Sequence, residues 1–325
     1  MKKYIAFIVA FVLLVVAIIV PQASADGIKA GKGSKDNDEV ESYKDLMKVD
    51  LSDGATFYMS GEATKDLSES GKGYQSAGKE LVVFNSEYYV SKKAQYIVVD
   101  ATVYYSSSAE YDDYDIDYSG ASSYSISYEI FESSKKELVR INRYDNPTQD
   151  QAAIALYLGK WVEWEADYFE FLELLEDINE VAVPYELISM IFYTDKSDWD
   201  EKGSSIVLDD DMGEEFAEEF FESFNKDDEF TADVEVDFSD KDAPKFTISA
   251  KAKYEDEDDS GKVDIDAGAN FIRYEMVMTN IGNTSIEENI NKNDIITEKK
   301  MKNKLKDTGL WDRYFDNDDD EEDDD

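Results

Sequence analysis

Two stretches of the 325-residue chain alternate apolar and polar residues one by one, which commits them to extended strands. Phe230, Ala232, Val234, Val236 and Phe238 alternate with Thr231, Asp233, Glu235 and Asp237. After the turn residues Asp242-Ala243-Pro244, Phe246, Ile248, Ala250, Ala252 and Tyr254 alternate with Thr247, Ser249, Lys251 and Lys253. A period of two puts each apolar set on one face, so the pair is expected to form a hairpin with one buried side. On the outer side Asp and Glu face Lys, worth about 0.2–1 kcal/mol per pair. Tyr124–Ile130 alternates in the same way, and Tyr96–Tyr105 is β-branched and aromatic almost throughout. Leu81–Val90 and Phe271–Asn280 complete the set of expected strands.

A helical stretch is expected between the two β regions. Asn146-Pro147 closes the first, and Thr148 with Gln151 forms a capping-box signature. Tyr157, Trp161, Trp164, Tyr168, Phe171, Leu175, Ile178 and Ala182 follow at alternating four- and three-residue steps, with Gly159 as a candidate break. That spacing makes the aromatic stripe a core face rather than a sugar-stacking surface. Phe216, Phe220 and Phe224 place a second helix over Met212–Phe224, with Asp209, Asp210 and Asp211 at its positive end. Residues 294–308 are locally basic and helix-compatible.

The N-terminus sets the expected compartment. Lys2 and Lys3 precede an apolar run from Tyr4 to Val20 and then Ala23-Ser24-Ala25, the pattern of a secretory signal peptide cut before Asp26. An uncleaved anchor is the alternative, and it is the one route by which the chain is expected to contact a membrane. Residues 26–48 are rich in Gly, Lys and Asp and read as a flexible linker, while 311–325 ends in the acidic tail DNDDDEEDDD. With 76 acidic against 33 basic side chains, the net charge of −43 argues against nucleic-acid binding. The absence of histidine and cysteine excludes imidazole relays, thiolate nucleophiles, disulfides and Cys-ligated metals.

Ala94–Val103 and Ala269–Met278 match in residue type at six of ten positions, a weak internal repeat. A strand of this kind, followed in the second copy by Thr279-Asn280-Ile281-Gly282-Asn283, resembles the central strand of immunoglobulin-like, telokin-like domains of exported Gram-positive proteins. The resemblance covers some 15 residues in each half and implies envelope-attached β-sandwiches. The expected fold class is therefore α+β and β-rich. Two immunoglobulin-like sandwiches, residues 49–145 and 228–310, flank a helical segment at 146–227.

Two stretches carry Asp-x-Asp-x-Ser-Gly: Asp115, Asp117 and Ser119, and Asp256, Asp258 and Ser260, with Asp264 nine positions into the second. Calcium loops alternate oxygen ligands in this way and close with a glutamate at position twelve; Ile126 and Ala267 stand there instead. Turn chemistry, which also favours Asp, Ser and Gly, takes precedence, and Ca2+ is the one cofactor kept in view. Tyr111, Tyr114 and Tyr118, interleaved with Ser, Asp and Gly, form a candidate binding surface of the kind found in Tyr/Ser-rich loops. The expected function is a non-catalytic interaction protein of the cell envelope or extracellular space, with an unknown protein or polymer partner. The alternatives are a carboxylate-based glycoside hydrolase acting on wall polysaccharide and a calcium-stabilised structural module.

Overall fold

The computed structural model describes residues 27–33, 39–66, 69–71, 74–111, 116–145, 155–163, 194–221, 229–253, 256–257, 263–264 and 269–309. Between 175 and 192 it describes 175, 178–179, 181–183, 188–189 and 191–192. The expected leader, the capping box, Trp164, Tyr168, Phe171, Phe224 and the acidic tail lie outside these residues.

In chain order the strands are β1 Ile28–Lys32, β2 Ala55–Asp66, β3 Glu69–Gly71, β4 Tyr74–Val90, β5 Ala94–Tyr111 and β6 Ile116–Ser133. There follow β7 Lys136–Asp145, β8 Trp161–Glu163, β9 Trp199–Lys202, β10 Ser205–Leu208, β11 Glu229–Asp237 and β12 Lys245–Lys253. The last are β13 Asp256–Glu257, β14 Val263–Asp264, β15 Ala269–Thr279, β16 Thr284–Glu288 and β17 Ile295–Ile296. Helix α1 spans Tyr43–Leu46, α2 Asp210–Phe221 and α3 Glu298–Asp307. The protein is β-rich, and most strands join one 13-stranded sheet in the order β17-β8-β7-β6-β5-β4-β2-β15-β12-β11-β10-β9, with β3 paired to β4. Neighbours run antiparallel except β17 and β8.

Alternation decides which side chains share the buried face. Val234 and Val236 on β11, Phe246 and Ile248 on β12, and Tyr274 and Met276 on β15 are all at most 1% exposed, in one core that runs across the sheet. Helical segments cover this first face. Ile178 and Ile191 from 175–192, Phe216 and Phe221 of α2, and Met301 and Leu305 of α3 belong to the same core. Asp209 caps α2, its Oδ1 accepting from Met212 N at 2.8 Å.

Several expectations change here. The halves expected to be separate sandwiches share one sheet, because β2 of the first pairs with β15 of the second from Phe271↔Thr64 to Thr279↔Thr56. Gly61 lies in this seam, where an added Cβ would stand 2.8 Å from the Tyr274 ring and 2.9 Å from that of Phe84. Those two rings, 5.5 Å apart, close the space above it. Trp161 is not helical: Gly159, at φ +71°, turns the chain, its N–H bonds Ile141 O at 2.7 Å, and the next residues pair with β7. The expected linker 26–48 is not wholly a tether, since Ile28 and Leu46 are fully buried and Val40 and Tyr43 nearly so. Of its large apolar side chains, only Met47 stands exposed among the described residues. The expected hairpin forms as β11–β12, with Val236 opposite Phe246 and Asp237 opposite Lys245. The basic segment is α3, anchored by Met301 and Leu305 at 0% exposure.

The second face is covered over one half only. There β1 and β16 pair as a separate two-stranded ribbon, Ile28↔Glu288 to Lys32↔Thr284, lying over β4 and β5. Thr284 Oγ1 meets Thr56 Oγ1 at 2.9 Å, and Gly282 N donates to Gly54 O at 2.7 Å, fixing where the ribbon leaves the sheet. Among the described residues no helix is long and apolar enough to cross a membrane.

Candidate functional site

Register brings two rows of side chains together beneath the ribbon. Glu87 on β4 is opposite Val98 on β5, which is opposite Glu129 on β6, which is opposite Arg140 on β7. The next row runs Tyr89, Tyr96, Phe131, Leu138 across the same four strands. Ile28 and Ile286 of the ribbon and Trp161 of β8 close over the apolar row. Gly27, at φ +127°, lets the chain pass against the Trp161 indole, where a Cβ would stand 2.9 Å from Nε1.

Glu129 is 2% exposed and fully engaged. Arg140 Nη2 donates to both its carboxylate oxygens at 2.7 Å, Tyr96 OH donates at 2.5 Å and Asn142 Nδ2 at 2.6 Å. The last contact depends on a β-bulge. Ser127 pairs with Arg143 but Tyr128 with Ile141, so Asn142 drops out of the ladder and its side chain reaches Glu129. The Arg140 guanidinium stacks on Trp161, 4.6 Å from the ring centroid. A carboxylate whose lone pairs are this occupied is an anchor, with no acceptor capacity left for a substrate proton.

Glu87 differs. It is 4% exposed and accepts from Tyr89 OH, with no cation paired to it among the described residues. Burial raises its pKa; the Tyr89 hydrogen bond opposes that rise, and the nearby Asp100 charge adds to it. The Tyr89 phenol is itself pushed far up by burial and by Glu87, and that of Tyr96 by burial and by Glu129, so both stay hydrogen-bond donors. Tyr89 stacks on Tyr96 at 5.8 Å and takes Tyr58 edge-on at 6.4 Å. The two carboxyl groups thus sit on one face, two strands apart, roughly 10 Å between backbones at ordinary strand spacing. Both are sealed from solvent.

The same strands offer an open surface at their other end. β4, β5 and β6 stay paired to Tyr74↔Tyr111 and Tyr111↔Ile116, past Val82, Val103 and Tyr124, the last buried positions on these strands among the described residues. Tyr104 is 36% exposed, and Ser106, Ser107, Ser108, Ser122 and Ser123 are all exposed. At the root of this end Tyr105 stacks on Tyr124 with centroids 6.0 Å apart, and Tyr144 meets Tyr124 at a tilt, 6.1 Å away.

The residues singled out from sequence are placed as follows. Tyr111 ends β5, Tyr118 on β6 pairs with Ala109, and Tyr114 lies outside the described residues. Asp117 pairs with Glu110 and Ser119 with Ser108, while Asp115 is not described. Asp256 on β13 pairs with Asp264 on β14, and Asp258 and Ser260 are not described. Among the described residues no three acidic side chains gather as a metal-holding group. Sequence reasoning missed Glu87, Glu129 and Arg140. A usable signal existed for the last: Arg140 is one of only 4 arginines among 33 basic residues and interrupts the apolar run Leu138-Val139-Arg140-Ile141. No protein-family model matches the chain, and no curated protein matches it either.

Proposed function

We propose that the chain is an exported, non-catalytic interaction protein of the cell envelope or extracellular space, presenting the Tyr/Ser-rich end of β4–β6 to its partner. The observation that carries this is the exposure of Tyr104 and Ser106–Ser108 on a ladder whose other end is locked into the core. Tyrosine supplies large contact area at low entropic cost and serine supplies adaptable hydrogen bonding, on a scaffold that the sheet keeps rigid. Export rests on the charged and apolar N-terminal pattern, residues 2–25. An immunoglobulin-like kinship of the two halves rests on the repeated strand pattern, which falls on β5 and β15. The burial of Glu87 and Glu129 favours this reading over a carboxylate hydrolase, which needs both groups lining an open cleft.

The test is retention of purified protein on envelope isolated from its host, compared with Tyr104→Ser and Tyr111→Ser variants. Retention about tenfold weaker with an unchanged unfolding midpoint is expected for loss of aromatic anchors. Equal retention of all three proteins, or none, overturns the proposal. N-terminal sequencing of the extracellular fraction tests export separately.

A further inference from the structure

We infer that the β1–β16 ribbon is a hinged cover on the sheet, shut while the Glu87 carboxyl is protonated and lifted when that carboxyl ionises. Among the described residues the ribbon shares no ladder with the large sheet; its two five-residue strands pair only with each other. It is fixed at two ends. At the root, where Thr284 meets Thr56, Gly54, Asn280 and Gly282 all take positive φ, at +117°, +52° and +66°. At the far end Glu288 accepts from Lys136 Nζ, an ion pair that solvent still reaches. Between the two, Ile28, Ala30 and Ile286 are the ribbon's apolar contribution to the cover.

What lies beneath is poorly matched to a dry site. Glu87 has one phenol and no cation, and the Trp161 indole N–H has no hydrogen-bond partner, among the described residues. Lifting the ribbon gives both groups to water, and an ionised carboxyl gains far more from that than a protonated one. The surrounding charges leave Glu87 uncompensated. Asp100 on β5, 3.9 Å from Arg143, opposes ionisation, and Glu129 on β6 holds Arg140 of β7 to itself. Tyr58 on β2 and Tyr96 on β5 bring only phenols to Tyr89. On the ribbon, Lys29 and Glu287 alternate away from the sheet, Glu288 is engaged with Lys136, and Lys32 at the root is exposed. Closure raises the carboxyl above its ordinary value, so protons favour the shut ribbon. The open fraction is therefore smallest below the ordinary carboxyl range. It climbs by up to about tenfold per pH unit until the raised value is passed, and is level beyond it.

The chain has no cysteine, so a single thiol placed under the ribbon reports its opening. Val98→Cys, which stands in register between Glu87 and Glu129, is labelled with a methanethiosulfonate from about pH 4 to 9. Each rate is divided by that of the same protein in urea, which removes the titration of the thiol itself. The normalised rate is expected to climb with pH and then level, and Glu87→Gln is expected to hold it at the acid value throughout. Ala30→Cys, half-buried on the ribbon itself, repeats the measurement should Val98→Cys lose its native circular dichroism. Val236→Cys, on the helix-covered face, is expected to stay unlabelled, which separates a lifted ribbon from an unfolded chain. A flat profile, a step that survives Glu87→Gln, or Val236→Cys labelled in parallel overturns the inference.

Discussion

The two halves of the sheet are built by one alternation rule and finished differently. Across β11, β12 and β15 the helix-covered face is buried, while Asp233, Glu235 and Glu275 stand exposed on the other and Thr247 is half-buried there. Across β4–β8 both faces are covered, so Tyr96, Ile97, Val98 and Val99 are all buried in succession. The second cover is a ribbon of two five-residue strands, and it shuts in charge as well as apolar surface. Polar positions that would cost nothing on the open half must be satisfied on the covered one. Glu129 meets that demand with Arg140, Tyr96 and Asn142, whereas Glu87 meets it with Tyr89 and a displaced titration.

Substitutions that break this contrast should differ widely in size. Arg140→Ala leaves Glu129 buried without its cation, and the expected loss is about 3–5 kcal/mol of unfolding free energy, measured by denaturant titration. Glu87→Gln sharpens the contrast through pH. The folded pKa of Glu87 lies above its unfolded value, so the protonated form stabilises the fold. That contribution is complete below the unfolded carboxyl value and is lost as pH rises through the folded one. The glutamine variant lacks this titration. Its unfolding midpoint should fall less than the parent's over that rise and end above it at alkaline pH. On the open half, Asp233→Ala should change stability by no more than about 0.5 kcal/mol in the same titration. A loss of 3 kcal/mol there would mean that the outer face of β11 is covered after all.

Legibility in the sequence follows the same division. One-sided burial writes itself as strict alternation, which is why the β11–β12 hairpin and the strand from Phe271 could be read directly. Two-sided burial erases the alternation in Tyr96–Val99, so the strand is legible but its second cover is not. The ribbon hid because β1 contributes only Ile28 and Ala30 to the apolar cluster, too few to lift residues 26–48 above a tether in composition. Glu129 hid because it shares its parity with Ser125 and Ser127, which makes it read as a solvated position. Trp161 fitted a helical stripe by spacing alone, and Gly159 was the residue that carried the correction. The seam between β2 and β15 joins residues more than 200 positions apart, a pairing that no local pattern encodes.

That seam makes one sheet out of two expected domains, and the absence of native cysteine allows a clean test of it. Ser60 and Glu275 are direct register partners across β2 and β15. A Ser60→Cys, Glu275→Cys double variant, oxidised mildly under native conditions, is expected to form an intrachain disulfide, seen as faster migration on a non-reducing gel and reversed by reductant. Failure of these two cysteines to join, in a protein that keeps its native circular dichroism, would contradict the single sheet.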